Sequence, residues 1–233
     1  MFRRTISQIN KIKKFESKPE IFKIFDSSEI NKIINFYNNL PIKIFNKKQN
    51  VIKKAWLQNI DCELDKLYLD KLRSVIGFFK MDNLKCSNGF DQFGLFHESF
   101  SPLKLHVDSG FSSDDVIYKQ ILVPLTEGQT IIFKNRWYNR ATSFTIDQEE
   151  LKFIPASDQN SRSDEHLSQK VFPLDIYNKF LKHENINNLK GLEVELIYNW
   201  RVGEILVMDR TLLHCSSSNI NIKKLGLTTF TKK

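Results

Sequence analysis

The sequence predicts a mainly β protein, a sandwich or barrel of short strands with helices in its N-terminal part. From about residue 90, short apolar stretches are broken by Gly, Pro, Asn and Ser, which is typical of strands joined by turns. Before residue 85, apolar residues recur at helical spacing instead. We expect one domain over residues 1–233, with a helical support region at 1–85 and the β core at 90–231.

Two amphipathic patterns predict the helices of the N-terminal part. The first spans residues 30–37, follows capping residues at 26–29 and stops before Pro41. The second spans 64–79, with Asp61 as a plausible cap. We expect both helices to pack on the outside of a sheet.

Seven apolar stretches predict the strands of the core. The pattern lapses between 135 and 172, where the polar stretch 155–164 is predicted to be a mobile loop and a candidate lid. A further helix is expected near 173–184, with Pro173 in its first turn. The predicted strands are 93–99, 103–107, 117–125, 130–134, 193–198, 204–209 and 225–231.

Composition narrows the class of protein. No apolar run of about 18 residues exists, which argues against a membrane span. Cys62, Cys86 and Cys215 lack paired spacing and the N-terminus lacks a secretory signal, so we expect a cytoplasmic protein with free thiols. The net charge of +8 makes nucleic-acid binding possible, but the lysines are scattered, so it is not favoured.

Two imidazoles and one carboxylate form a candidate metal site. His106 and Asp108 stand in Leu-His-Val-Asp-Ser-Gly, and His214 follows a predicted buried strand at 205–208. Because side chains on a strand alternate, residues 106 and 108 point to the same side. Two histidines and a carboxylate are the ligand set of mononuclear non-haem iron oxygenases. We expect these three residues to be metal ligands and catalytic; the alternative for His214 is an ordinary hydrogen-bonded histidine.

A lysine follows the distal histidine at a suggestive distance. Lys224 lies ten positions after His214 on a predicted strand. A lysine inside a barrel is costly unless it meets an anion, so we expect it to bind a carboxylate of a cosubstrate. The alternative is that Lys224 points to solvent, with Lys223 or neither lysine facing inward.

Together these residues resemble the 2-oxoglutarate- and Fe(II)-dependent dioxygenases, whose motif is H-x-D/E, a distal His and a basic residue about ten positions later. The resemblance covers residues 90–231 and includes the stretches 123–133 and 202–209. It implies a double-stranded β-helix, or jelly roll, with iron on the histidines and aspartate and the cosubstrate on Lys224. Most members have Arg at that position, whereas collagen-type prolyl 4-hydroxylases have Lys, which points towards the latter branch.

The resemblance also implies the chemistry. Fe(II), 2-oxoglutarate and O2, with ascorbate as an optional reductant, would hydroxylate an unactivated C–H of a small-molecule or peptide substrate and release succinate and CO2. By parity with Leu122 and Pro124, we expect Tyr118 and Gln120 to face the pocket and bind the cosubstrate. The alternative is a buried aromatic and a surface amide. His97 is expected to support a metal ligand.

Other interpretations remain open at this point. A cupin-like enzyme could hold zinc on the same residues without using 2-oxoglutarate. A basic nucleic-acid-binding protein could carry a degenerate barrel site. His166 and His183 are interpreted as bystanders. The stretch of Arg136, Trp137, Tyr138 and Arg140 either borders the substrate or is a solvated loop with one packed Trp, and the second interpretation is slightly favoured.

Overall fold

A computed structural model shows how these segments are arranged. The structure describes residues 3–41, 44–46, 50–82, 92–147, 159–161, 170–220 and 223–233. The predicted loop at 155–164 and His166 therefore lie largely outside the described residues.

Four α-helices lie within the described residues, and the two predicted capping sites are confirmed. Asp26 accepts a hydrogen bond from the Glu29 amide in a reciprocal capping box. Asp61 accepts one from the Leu64 amide. None of the described helices is long and apolar enough to cross a membrane. The helices are α1 (Ile6–Lys13), α2 (Ser27–Asn39), α3 (Cys62–Ile76) and α4 (Leu174–Phe180), with a 3₁₀ turn at Ile186–Leu189.

Strands account for most of the regular structure, which confirms the predicted fold class. The prediction that residues 1–85 are mainly helical was incomplete, because three strands of the larger sheet begin before residue 58. The strands are β1 (Glu20–Lys23), β2 (Ile44–Asn46), β3 (Val51–Leu57), β4 (Lys80–Met81), β5 (Gln92–Ser99), β6 (His106–Val107), β7 (Ile117–Pro124), β8 (Gln129–Arg136), β9 (Thr142–Thr145), β10 (Gln159–Ser161), β11 (Val194–Asn199), β12 (Glu204–Asp209), β13 (Leu212–Ser216) and β14 (Lys224–Lys232).

Two sheets make up the jelly roll. The larger has the order β1-β12-β7-β14-β5-β3-β2, with β4 also paired to β14, and the smaller has the order β10-β9-β6-β13-β8-β11. Neighbouring strands are antiparallel, except for the parallel pair β9–β10. Strands adjacent in space are mostly distant in sequence, so this topology can bring residues from opposite ends of the chain together.

Because side chains alternate along a strand, the larger sheet buries two different faces. Its outer face packs against α2 and α3, and its inner face packs against the smaller sheet. The outer cluster includes Ile33, Trp56, Tyr68, Leu72, Phe96, Ile121, Val207 and Leu227. The inner cluster includes Leu122, Leu206 and Met208 from the larger sheet and Ile132, Tyr198 and Leu212 from the smaller one. The inner cluster forms the barrel core beneath the candidate site.

Two sequence predictions need correction around the site. The predicted strand 103–107 shortens to His106–Val107. The region from 135 to 172 was expected to lack regular structure, yet β9 lies within it and pairs with β6. Glu184, rather than a neighbouring strand, binds the amide of Leu105 at 2.5 Å. The buried carboxylate of Glu184 therefore holds the main chain just before His106, the first residue of β6.

Candidate metal centre

The topology brings the three predicted ligands together. His106 on β6 lies directly opposite His214 on β13. Asp108 follows β6 at the start of a loop. The Nε2 atom of His214 is 3.3 Å and that of His106 is 3.9 Å from the Asp108 carboxylate. One ligand atom from each residue lies within 4.8 Å of the others, so a single cation can contact all three.

Backbone carbonyls orient both imidazole rings. Nδ1 of His106 lies 2.7 Å from the Lys104 carbonyl, and Nδ1 of His214 lies 3.0 Å from the Leu212 carbonyl. A carbonyl only accepts hydrogen bonds, so each Nδ1 carries the proton. The Nε2 lone pair of each ring is then free for a metal, which is the usual arrangement of metal-bound histidines.

The charge state of the trio also suits a metal ion. Burial, together with the neighbouring His214, lowers the pKa of His106 to about 4. Burial disfavours the Asp108 carboxylate, but without a metal the two imidazoles, when protonated, and the Arg210 guanidinium outweigh it and hold the pKa of Asp108 below its usual range. Near pH 7 the set therefore offers a neutral imidazole at position 106 beside an ionised carboxylate.

Two guanidinium groups hold the backbone at and next to Asp108, and no local pattern predicts these contacts. Nε of Arg210 donates to the Asp108 carbonyl at 2.9 Å, while Nη1 of the same side chain contacts Asp82 at 2.5 Å. Nη2 of Arg4 donates to the Ser109 carbonyl at 2.8 Å. The carboxylate thus stays free for a metal while its main chain is fixed.

Lys224 points into the barrel, whereas its neighbour does not. Lys224 is 5% exposed, and its Nζ donates to the Ser216 hydroxyl. Lys223 instead contacts Glu98 at 2.5 Å. Burial lowers the pKa of Lys224 to about 8. Among the described residues, no carboxylate forms an ion pair with Lys224, so this buried cation suits an anionic ligand.

The Trp200 ring lies against the side chain of Lys224, and two glycines leave room for that ring. Its Nζ lies 4.8 Å from the centroid of the Trp200 ring, and Nε1 of that ring donates to Thr130 at 2.9 Å. A Cβ at Gly128 would come within 2.9 Å of the Trp200 ring, and one at Gly226 within 3.0 Å. Sequence reasoning missed Ser216 and Trp200 as neighbours of Lys224; a Ser two positions after His214 was the only available signal.

Of the two predicted cosubstrate contacts on β7, only Gln120 lies on the inner face. It is 5% exposed, and its Oε1 has no hydrogen-bond partner among the described residues. Tyr118 was expected on the same face, but its hydroxyl donates to the Ile76 carbonyl and its ring packs against Phe15. The β7–β14 pairing shifts register near Phe230, so the alternation breaks between positions 118 and 120.

Two residues of the larger sheet face the same pocket. Lys53 on β3 lies opposite His97 on β5, and His97 lies opposite Gly226 on β14. The charge of Asp108 acts on both side chains. Burial, followed by the charge of Lys53, lowers the pKa of His97 to about 3, and burial lowers that of Lys53. Lys53 is a pocket cation that sequence reasoning missed, since it lay in a region predicted to be helical.

Polar contacts and aromatic packing tie the stretch after β8 to neighbouring parts of the chain. Arg136 binds Asp209 at 2.7 Å, and the Tyr138 hydroxyl donates to Glu16 at 2.7 Å. Trp137 packs edge-on against Phe144. These contacts favour the structural interpretation of the stretch. Nδ1 of His183 lies 3.0 Å from the Ser218 hydroxyl, and His183 is not one of the three residues that come together.

Comparisons with known proteins identify the fold. No protein-family model matches the chain, and no curated protein matches it significantly by sequence. Solved structures do match, over nearly the whole chain. HygX from Streptomyces hygroscopicus, with nickel and 2-oxoglutarate bound, is 14% identical with a TM-score of 0.51, covering 99% of this chain and 87% of that chain.

Two further structures come from nogalamycin biosynthesis. The non-haem α-ketoglutarate-dependent carbocyclase SnoK is 8% identical with a TM-score of 0.50, covering 98% of this chain and 84% of that chain. SnoN, an epimerase that also depends on α-ketoglutarate, is 8% identical with a TM-score of 0.50, covering 97% of this chain and 81% of that chain. At such identities the similarity shows the fold alone. The chain therefore has the jelly-roll fold of the 2-oxoglutarate- and Fe(II)-dependent oxygenases.

Proposed function

We propose that this protein is a non-haem Fe(II)- and 2-oxoglutarate-dependent dioxygenase that hydroxylates an unactivated C–H of a small-molecule or peptide substrate. One observation carries the proposal: His106, Asp108 and His214 converge beside a buried lysine that forms no ion pair among the described residues. HygX with nickel and 2-oxoglutarate bound, and SnoN in complex with Fe3+ and α-ketoglutarate, have the same fold. The unpaired Cys62 and Cys215 suit a reducing cytoplasm.

The donor set fits Fe(II). His106 and His214 offer nitrogen lone pairs on one side of the pocket, and Asp108 offers a charged oxygen. Three ligands on one face leave positions for a chelating cosubstrate and O2. When bound, iron and 2-oxoglutarate supply the oxidant, and the cosubstrate leaves as succinate and CO2.

The other residues of the pocket bind and orient. Lys224 is placed to receive the distal carboxylate of 2-oxoglutarate, and the Ser216 hydroxyl beside its Nζ can donate a second hydrogen bond. The Trp200 ring under that Nζ keeps the contact dry, which strengthens it. The Oε1 atom of Gln120 has no hydrogen-bond partner among the described residues, so it can accept a hydrogen bond from a ligand inside the barrel. The inner apolar cluster closes the barrel below and limits the entry of water.

Binding of 2-oxoglutarate tests the proposal without knowledge of the substrate. We expect the anaerobic Fe(II) protein to develop a charge-transfer absorption band when 2-oxoglutarate is added, and to form succinate from it when O2 and ascorbate are supplied. Lys224→Met should weaken 2-oxoglutarate binding about tenfold to a hundredfold, because a charge-assisted hydrogen bond contributes about 1.5–3 kcal/mol.

Lys223→Met is the matched control for that variant. It removes the same charge from the adjacent position, whose side chain pairs with Glu98 outside the pocket, so 2-oxoglutarate affinity should not change. A protein that binds a divalent metal but neither binds nor consumes 2-oxoglutarate would contradict the proposal. That result would favour the cupin-like enzyme. Salt-sensitive nucleic-acid binding that survives His106→Ala would favour the third interpretation.

A further inference from the structure

Lys53 and His97 form a polar pair on the wall of the metal pocket. They lie opposite each other on neighbouring strands of the larger sheet, with Gly226 next in the same row. Residues in one row of a sheet share a face. The glycine adds no side chain to the wall, so Lys53 and His97 are the polar groups of this row, and Lys224 lies one pair further along β14 on the same face.

Neither Lys53 nor His97 has a partner in the part of the chain that the structure describes. Among the described residues, no group forms a hydrogen bond or an ion pair with Lys53 or with the His97 ring, and Nε2 of that ring is buried. Other inward or buried lysines are treated differently. Lys119 pairs with Asp209, and Lys54 donates to the Tyr37 carbonyl at 3.0 Å. A buried polar atom without a partner, as Nε2 of His97 is among the described residues, costs about 1–3 kcal/mol, and the half-buried Lys53 beside it carries a charge with no ion-pair partner there, so the pair suits an anionic ligand.

The net charge of the pocket with Fe(II) and 2-oxoglutarate bound indicates what kind of ligand Lys53 and His97 bind. This step rests on the proposed function. The two charges of Fe(II) and that of Lys224 balance Asp108 and both carboxylates of 2-oxoglutarate. The charge of Lys53 is then left over in a partly desolvated pocket, where an unbalanced charge is costly. One more negative charge, brought by the molecule that is oxidised, would complete the balance.

We propose that Lys53 and His97 form a subsite that binds a carboxylate of the primary substrate beside the metal. Lys53 contributes the charge, and the neutral His97 ring contributes one N–H donor. The substrate is accordingly a carboxylic acid, and an amide in place of its carboxylate is rejected because Lys53 would stay unpaired. The pair holds the substrate on the wall of the larger sheet, with the carbon to be oxidised facing the trio on the smaller sheet.

A relaxation experiment tests the subsite with a simple probe. Mn(II) replaces Fe(II), 2-oxoglutarate is saturating, and the paramagnetic relaxation of acetate protons is followed as acetate is added. We expect a saturable effect for acetate and none for its neutral isostere acetamide. Lys53→Met should weaken acetate binding at least tenfold, His97→Phe should weaken it less, and Lys53→Arg should largely restore it.

Lys66→Met is the control, since it removes one charge from the exposed surface of α3. Equal acetate relaxation in the wild type and in Lys53→Met would mean that acetate only meets the metal, which overturns the subsite. Calorimetry supplies the second arm. We expect Lys53→Met to leave 2-oxoglutarate affinity within about twofold, and a loss as large as that in Lys224→Met would show that Lys53 serves the cosubstrate instead.

The same measurements separate this inference from the proposed function. Wild-type protein that binds Mn(II) but no 2-oxoglutarate contradicts the proposed function. Normal 2-oxoglutarate binding without a saturable acetate effect contradicts only the Lys53–His97 subsite. The Lys53→Arg variant guards against misfolding, because it keeps the charge and most of the volume of the side chain.

Discussion

Asp108 directly follows strand β6 and Asp209 ends strand β12, but the protein satisfies these two carboxylates in different ways. Asp209 is held by Lys119, by Arg136 at 2.7 Å and by the Ser17 amide at 2.9 Å. Asp108 faces two imidazole nitrogens at 3.3 and 3.9 Å, and its carboxylate has no Lys or Arg ion-pair partner among the described residues. Asp209 is neutralised by the chain, whereas Asp108 has no lysine or arginine counter-charge among the described residues, which suits the proposed metal ion. A paired carboxylate serves stability, and an unpaired one surrounded by lone pairs serves binding.

Removal of the paired carboxylate should have the largest effect on stability. Asp209→Asn leaves Lys119 buried without its counter-charge and Arg136 with a weaker partner. We expect the free energy of unfolding to fall by about 3 kcal/mol or more, as for other broken buried ion pairs. Denaturant unfolding of the metal-free protein measures it. Asp108→Asn is the matched control, and an equal loss in both variants would erase the distinction between the two carboxylates.

Removal of the unpaired carboxylate should instead abolish metal binding. A divalent metal at a hundredfold excess over its Kd should stabilise the wild type by about 2.7 kcal/mol, or roughly 5–10 °C in Tm. Asp108→Asn should lose this shift, because one of three ligands is gone. Asp209→Asn should keep it, starting from its lower Tm. Thermal unfolding with and without Fe(II) or Mn(II) gives both values, and an undiminished metal shift in Asp108→Asn would place the metal elsewhere.

A smaller effect is expected from the residue that fixes the backbone of Asp108. Arg210→Lys keeps the positive charge but cannot bind the Asp108 carbonyl and Asp82 at once. We expect metal affinity to fall roughly tenfold to a hundredfold, as is usual for residues that orient a metal ligand. Competition with a chelating dye measures it. The exposed Arg201, changed to Lys, is the control and should have no effect.

The smallest effect is expected from a change of pH, which acts on the buried Lys224. Burial lowers the pKa of Lys224 to about 8, so the free side chain loses its proton as pH rises through 8. Binding of an anion needs the protonated form. The apparent Kd for 2-oxoglutarate should therefore rise about tenfold between pH 7 and pH 9, with proton uptake on binding at the higher pH. Calorimetry in buffers of different ionisation enthalpy detects the proton, and Lys224→Met should show no uptake.

Sequence reasoning succeeded where local patterns decide the structure. The caps at Asp26 and Asp61, the apolar strands of the core and the inward direction of Lys224 follow from spacing and alternation. It failed at Tyr118, because a register shift near Phe230 moves the side chain to the other face of the sheet. Such a shift depends on the paired strand and leaves no local signature.

Lys53 is a second residue whose position the local sequence could not predict. Its segment was expected to be helical, but β3 joins the larger sheet beside β5 and places this lysine across from His97. A strand that lies between two others is selected by its partner strands more than by propensity, so the local sequence could not reveal the pairing. The pocket therefore contains one cation more than the motif implied.

The order of residues along the chain was enough to predict the kind of barrel and which two histidines and one aspartate come together in it, because two short motifs and the alternation of side chains are local properties. The packed molecule added what those motifs cannot encode: which carboxylate already has its counter-charges, which backbone carbonyls hold the imidazoles, and which lysines share the pocket. These depend on contacts between strands far apart in sequence, and the free energy of burying charge is set only once those strands have met.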